Sequence, residues 1–293
     1  MSHSGFNSAF ATGLAAAVQP ARRPRAKPGR QSRYQELELK LASLQKDYAD
    51  LHASLFEAAQ VYRRLCAPRL VSHGNYEIAS ETFAARHLPG DFFTVDETGN
   101  GATLALGDIS GKGLAAGMWI TLLLGLVGKH STASAEPQAI VAEVNRDLCR
   151  MSLGSPLASL FLARLDSATG VLEYCSAGHP PALLLRADGH LESLSEGGPL
   201  LGVVPEASFV NGKVDLRVGD VLLVYSDGIL EARNEADQEF GFDRLATQFR
   251  YARNGSADTI LFSLLAAVQD FAGACLQADD MSVVVVRHRD PRA

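Results

Sequence analysis

Cysteine is scarce in this chain: four in 293 residues, at Cys66, Cys149, Cys175 and Cys275, with no CxxC pair among them. That spacing excludes a disulfide scaffold and argues against a structural zinc site. It reads as a chain of a reducing, cytoplasmic compartment. Charge of either sign is also short of extreme, with a formal net charge of −6, so the whole chain is not built to bind nucleic acid. No long hydrophobic run occurs. The apolar, uncharged stretch Leu114 to Gly128 falls short of the roughly 20 residues that a membrane-crossing helix needs. The N-terminus lacks the basic, apolar and cleavage-site order of a secretory signal. There is no P-loop, no repeat with a period of roughly 20–50 residues, and a single Trp, Trp119, best read as a core residue.

What remains is apolar enough for a full core, at 47% hydrophobic and 20% charged residues. The chain divides into three parts. Residues 1–33 are rich in Ser, Ala, Gly, Pro and Arg without period and read as a disordered tail. Their basic cluster of Arg22, Arg23, Arg25, Lys27, Arg30 and Arg33 is that of a solvated tail, with an acidic partner or membrane surface as the sharper alternative. Residues 34–67 carry Leu37, Leu41, Leu44, Tyr48, Leu51, Leu55, Ala58, Tyr62 and Leu65 at alternating steps of four and three. That is a heptad seam, and it predicts a coiled-coil helix closed by Pro68. A parallel homodimer through residues 34–66 is the preferred reading; docking of the helix on its own domain would also need an apolar stripe.

Residues 70–290 form the main domain. Strands are expected at Tyr76–Glu81, Ala102–Asp108, Leu157–Arg164, Gly170–Ser176, Ala182–Arg186, Val214–Val218, Val221–Ser226 and Met281–Arg287. Helices are expected at Leu114–His130, Pro137–Met151, Asp243–Tyr251 and Ser256–Ala274. Strands grouped with strands and helices with helices predict an α+β fold, with helices outside a pair of sheets.

Four carboxylate positions sit at strand ends. Asp91 opens the run Phe92–Val95, Asp108 follows TLALG, Asp227 follows VLLVYS, and the pair Asp279-Asp280 precedes MSVVVV. Converging carboxylates raise one another's pKa unless a cation cancels their charge. Oxygen donors without a His or Cys cluster suit Mg²⁺ or Mn²⁺. Two such ions would activate a water and clamp a phosphoryl group. Glycines beside Asp108 and Asp227 leave room for close approach. Against this stands ordinary turn chemistry, in which Asp before Gly is common.

The motifs LPGDFFTV, LALGDISGKGLAAGMW, YCSAGHPPALLLRADG, GGPLLGVVP, LLVYSDGILEARN and DDMSVVVVR occur in that order. Together they resemble the bacterial SpoIIE/RsbU-like branch of the metal-dependent (PPM, type 2C) protein phosphatases, over roughly residues 70–288. The resemblance implies a four-layer α-β-β-α sandwich with a metal centre at one end. It implies a serine/threonine phosphatase using two Mn²⁺ or Mg²⁺ ions. It implies as metal ligands Asp91, the bridging Asp108, the Ile109 backbone carbonyl, Asp227 and Asp279, the last chosen over Asp280. Two positions depart from the pattern. Pro89 stands where the branch has a first glycine, and Lys112 stands where it often has histidine. A lysine there would bind phosphate or steady the departing oxygen, being a poorer acid than histidine, or would be a plain loop residue. Asp108 and Lys112 are therefore the expected catalytic pair, while His179 reads as a structural turn residue.

By the same resemblance the substrate is a phosphoprotein, with a STAS-type anti-sigma-factor antagonist as the implied class. The helix at 34–66 would dimerise the protein, and its end, Ala58 to Ala67, would press on the catalytic domain and bias the metal site. A partner binding the helix or tail would activate it; a passive stalk is the alternative. A catalytically silent pseudophosphatase scaffold is the competing function, and a hydrolase of small phosphoesters or nucleotides a third.

Overall fold

The structure is a computed structural model that describes residues 30–66, 69–99, 101–151 and 156–289. The basic residues Arg22, Arg23, Arg25 and Lys27, most of the predicted tail, Ala67 and the helix-closing Pro68 lie outside the described residues. Contacts divide the chain into one unit up to Asp50 and a second from Leu51 onward.

A single long helix, α1 (Arg30–Leu65), runs through both. It begins four residues earlier than the heptads predict, because Arg30 to Arg33 carry no breaker after Gly29. In the first unit the seam residues Leu37, Leu41, Leu44 and Tyr48 are all exposed. In the second the seam is used in part: Tyr62 is buried and Leu55 and Ala58 pack against the core beside Ala59 and Cys66, while Leu51 and Leu65 stay exposed. Docking on the domain thus accounts for part of the seam, from Leu55 to Tyr62, and leaves the earlier seam residues exposed.

The second unit continues as β1 (Leu70–His73), β2 (Tyr76–Phe83), β3 (Asp91–Thr98), β4 (Gly101–Ile109), α2 (Leu114–Ala133), α3 (Pro137–Arg150), β5 (Ala158–Asp166), β6 (Val171–Ala177), β7 (Ala182–Leu185) and β8 (Leu191–Leu194). It ends with β9 (Gly197–Gly198), β10 (Gly212–Asp215), β11 (Val221–Tyr225), α4 (Asp227–Leu230), α5 (Gly241–Ala252), α6 (Ala257–Ala272) and β12 (Met281–His288). One sheet has the order β1-β2-β12-β11-β7-β8 and the other β10-β6-β5-β4-β3, with β9 beside β6.

Three apolar layers explain the stacking. Ile78, Phe161, Leu184, Val224 and Val284 fill the space between the sheets. Ile120, Leu123, Ile140, Val144 and Leu148 of α2 and α3 cover one outer face. Phe249, Ile260, Leu261 and Leu264 of α5 and α6 cover the other. A central strand such as β11 is therefore buried along its whole length, and VLLVY reads as a continuous apolar run rather than an alternation. The result is the expected α+β sandwich of four layers.

Among the described helices, only α2 is long and apolar enough to cross a membrane by length and composition. It is longer than the uncharged stretch because Lys129 continues it. Its stripe of Ala116, Ile120, Leu123 and Val127 is buried in the core layer, with Trp119 packed alongside.

The strand expected at 214–218 lies instead at Gly212–Asp215. Asp220 is the reason: its carboxylate accepts the backbone N–H of Arg217 (3.0 Å) and of Ala187 (3.0 Å), folding residues 217–220 into a turn. The Arg186 guanidinium donates to the same carboxylate at 2.8 Å.

Candidate metal and phosphoryl site

The antiparallel register of β3 and β4 places Asp91 directly opposite Asp108. This brings together the first two carboxylates, although a hairpin separates them in the chain. Asp227 opens the one-turn helix α4 right after β11, and Asp279-Asp280 stand before β12, the neighbour of β11. All the expected carboxylates therefore gather at one end of the sandwich.

Their electrostatics show the crowding. Burial pushes the Asp108 carboxyl up to about 7, and Asp227 and then Asp279 push in the same direction. Burial raises Asp227 too, with Asp279 adding to the shift. Asp91 is buried and held well above the usual carboxylate range, first by desolvation, with Asp108 adding; Ser226 and Ser282 pull it back only in part.

The two adjacent aspartates separate in role. Asp280 is buried, and its carboxylate is consumed by backbone: Oδ1 accepts the Ala85 N–H at 2.7 Å and Oδ2 the Gly90 N–H at 2.5 Å. It fastens the turn that presents Asp91. Asp279 is more open, faces Asp108 and Asp227, and receives the Lys112 ammonium at 2.8 Å. Asp279 Oδ1 also accepts the Asp280 N–H at 2.9 Å, so the pair differs in burial and in how many backbone amides each carboxylate holds. Lys112 also donates to the Ala278 carbonyl at 2.8 Å.

Among the described residues, no three His, Cys, Asp or Glu side chains close tightly enough to hold a metal ion by themselves. The surroundings nonetheless fit hard cations. Asp91 Oδ2 is buried without a hydrogen-bond partner. A methyl group added at Gly90 would sit 3.1 Å from Asp108 Oδ1 and 3.2 Å from the Ile109 carbonyl oxygen. Gly90, placed after Pro89, therefore keeps open the space that these oxygens face. Gly228 serves the backbone instead, since a side chain there would meet the Asp280 carbonyl at 2.0 Å. The donor set is oxygen only, which suits Mn²⁺ or Mg²⁺.

A cavity of about 550 Å³ leads to the carboxylates, lined by Asp108, Ser110, Leu157, Ser159, His179 and Asp227 among others. His179 is buried there, with Nδ1 2.8 Å from Ser159 Oγ, and desolvation lowers its pKa to about 3. The imidazole is thus neutral and buried, with Nε2 lacking a hydrogen-bond partner.

Tyr62 was not among the expected site residues. Its hydroxyl donates to the Asp91 backbone carbonyl at 2.5 Å, so α1 touches the turn that carries a candidate ligand. The heptad pattern marked Tyr62 as an apolar seam position and gave no sign of this polar contact.

Residues 98–289 match the family described as Stage II sporulation protein E (SpoIIE). Phosphoserine phosphatase RsbU of Bacillus subtilis (strain 168) is 21% identical over 235 residues, covering 79% of this chain and 69% of RsbU. Protein IcfG of Synechocystis sp. (strain ATCC 27184 / PCC 6803 / Kazusa) is 25% identical over 234 residues, covering 69% of this chain. The chain spans only 36% of the length of IcfG. The SiaA-PP2C domain of Pseudomonas aeruginosa superposes with a TM-score of 0.73 at 20% identity, covering 84% of this chain and 99% of that domain; it shares the fold. With more than half of its residues matched, and with the sandwich and the carboxylate end in place, the chain belongs to the SpoIIE family.

Proposed function

We propose that this protein is a metal-dependent phosphatase that hydrolyses phosphoserine or phosphothreonine on a regulatory protein. The observation that carries the reading is Asp108. Burial and two facing carboxylates push its pKa to about 7, a repulsion that bound divalent cations relieve. Asp91, Asp108, Asp227, Asp279 and the Ile109 carbonyl would hold two Mn²⁺ or Mg²⁺ ions. Ions bound there supply Lewis-acid stabilisation of a phosphoryl group and lower the pKa of an attacking water. The protein's own part is position. Paired strands fix Asp91 and Asp108, Gly90 leaves space beside them, and the cavity over Asp108 and Asp227 admits the phosphate. Lys112, already beside Asp279, is placed to meet a phosphate oxygen or the departing alkoxide.

The comparisons support this reading. RsbU is named a phosphoserine phosphatase. The catalytic domain of PstP, of the same fold with a TM-score of 0.54, is described in complex with two manganese ions. A structure containing RsbU and RsbW domains of one Mycobacterium tuberculosis protein, with a TM-score of 0.64, supports a partner-switching setting. A STAS-type phosphoprotein is the substrate class that fits that setting. The exposed seam of Leu37, Leu41, Leu44 and Tyr48 supports homodimerisation through residues 34–66. Tyr62 supports a path from helix to site, along which an activating partner would act.

One observation favours the scaffold reading, namely that Lys112 already pairs with Asp279 while, among the described residues, no three carboxylates close on one point. Hydrolysis of p-nitrophenyl phosphate by wild type, Asp108→Asn and Asp227→Asn, with Mn²⁺ and with chelator, separates the two. We expect Mn²⁺-dependent turnover in wild type alone, with each substitution lowering kcat by about a hundredfold or more. No turnover with any metal, together with no Mn²⁺ uptake by calorimetry, would leave a scaffold.

A further inference from the structure

A second hollow, of about 480 Å³, lies beside the carboxylates, where α4 meets the end of α6. Lys112, Gly228 and Asp279 line it, so it is continuous with the candidate metal site. The rest of its lining is mixed: Val268 and Ala272 from α6 and Met281 from the start of β12 are apolar, while Glu231, Arg233, Gln269 and Gln277 are polar. Its outer wall is the connection from α6 to β12. That connection carries Leu276, which is 95% exposed, the most open of the large apolar side chains among the described residues.

The wall is built rather than slack. Gln277 Nε2 donates to the Phe83 carbonyl at 2.6 Å and to the Asp279 carbonyl at 2.7 Å, and Lys112 Nζ donates to the Ala278 carbonyl at 2.8 Å. At the rim, Arg233 is held by Asp237 at 2.8 Å and Glu239 at 2.6 Å. An apolar floor, an apolar lip and a polar rim, all preformed, describe a side-chain pocket. A metal centre alone recognises a phosphate but not the chain that bears it. Selection among phosphoproteins needs contacts with flanking residues, and this hollow offers apolar side chains next to Lys112 and Asp279, to one side of the cavity over Asp108 and Asp227.

We propose that the hollow is a specificity pocket for the phosphoprotein substrate. It receives an apolar side chain, such as leucine or phenylalanine, from the segment flanking the phosphorylated residue. This inference rests on the phosphatase reading given above. Leu276 and Ala272 are specificity-determining positions in it and take no part in the chemistry.

Two labelled phosphoserine dodecapeptides test the proposal. One carries leucines within four residues on either side of the phosphoserine, and the other carries serines there. Turnover of each is measured with Mn²⁺, and binding of each is measured by fluorescence anisotropy in chelator. Two full-length variants accompany wild type: Ala272→Trp fills the hollow, and Leu276→Asp puts a charge on a lip too exposed to affect folding. Wild type is expected to favour the leucine peptide by about tenfold in kcat/KM, chiefly through KM. Both variants are expected to lose that preference and to keep wild-type turnover of p-nitrophenyl phosphate. Equal kcat/KM for the two peptides in wild type, or a preference that survives both variants, overturns the pocket. Failure of wild type to hydrolyse p-nitrophenyl phosphate would count against the phosphatase reading instead. Anisotropy then decides the pocket: tighter binding of the leucine peptide, lost in the variants, upholds it, and equal binding overturns it.

Discussion

Asp279 and Asp280 adjoin in the chain and divide their tasks by geometry. The carboxylate of Asp280 is spent on the Ala85 and Gly90 amides, while that of Asp279 faces the cluster and Lys112. Asp280→Ala strands two amides and is expected to destabilise the fold by about 3 kcal/mol. Asp279→Asn should leave the melting temperature nearly unchanged and weaken Mn²⁺ binding. Thermal melts in chelator beside Mn²⁺ calorimetry check the pair, and equal destabilisation by both substitutions would refute this division. Family resemblance implies Asp279 of the two. The physical reason was not legible, because nothing in the letters DD says which carboxylate turns inward. Asp91, Asp108 and Asp227 were legible as strand-end carboxylates. Tyr62 was not, because a heptad position records only the side chain's apolar body and not the hydroxyl at its tip.

Among the elements, those with strong apolar pattern were readable and the weak edges were not. The central strands β4, β5, β11 and β12 and helices α2, α3, α5 and α6 lie close to where periodicity puts them. The sequence is silent about β1, β8 and β9. The first two are short and partly exposed, and the third is a glycine pair that runs beside β6. The one-turn α4 also escaped, since SDG reads as a turn. Helix α1 offers the test at this scale. A proline in place of Leu51 removes an N–H and clashes with the preceding turn, at a cost of about 3 kcal/mol. The expected outcome is a drop in sedimentation mass from dimer to monomer together with lower phosphatase turnover. Unchanged mass and unchanged activity would remove both the dimer and the coupling of helix to site.

Across the whole molecule, the sandwich concentrates negative charge at one end, and this sets how stability responds to pH and metal. The native state keeps the Asp108 proton up to about 7, whereas the ordinary value is 3.8. Between those values the folded state binds more protons than the unfolded one. The stabilisation is therefore full below about 3.8 and is lost as pH rises toward 7. Asp91 and Asp227 shift in the same direction. Metal-free wild type should thus melt lower at pH 8 than at pH 5.5. Asp108→Asn, inactive as an enzyme, should melt higher than wild type at pH 8 without metal. Because cations compete with protons for these oxygens, Mn²⁺ should raise the wild-type melting temperature more at pH 8 than at pH 5.5. Scanning calorimetry at the two pH values reads all three, and a metal-free protein indifferent to pH would contradict the crowded-carboxylate account.

Strand β3 is the outermost strand of its sheet, with β4 its only partner there. Edge strands are where native proteins open first, by fraying rather than by global unfolding. Asp91 begins that strand, so a candidate ligand sits at the margin of the sheet, on a stretch whose residues 91–95 are buried. Any ion that Asp91 helps to hold would then stabilise this margin of the sheet as well as the site. The Tyr62 hydroxyl, bound to the Asp91 carbonyl, is a clasp on that margin.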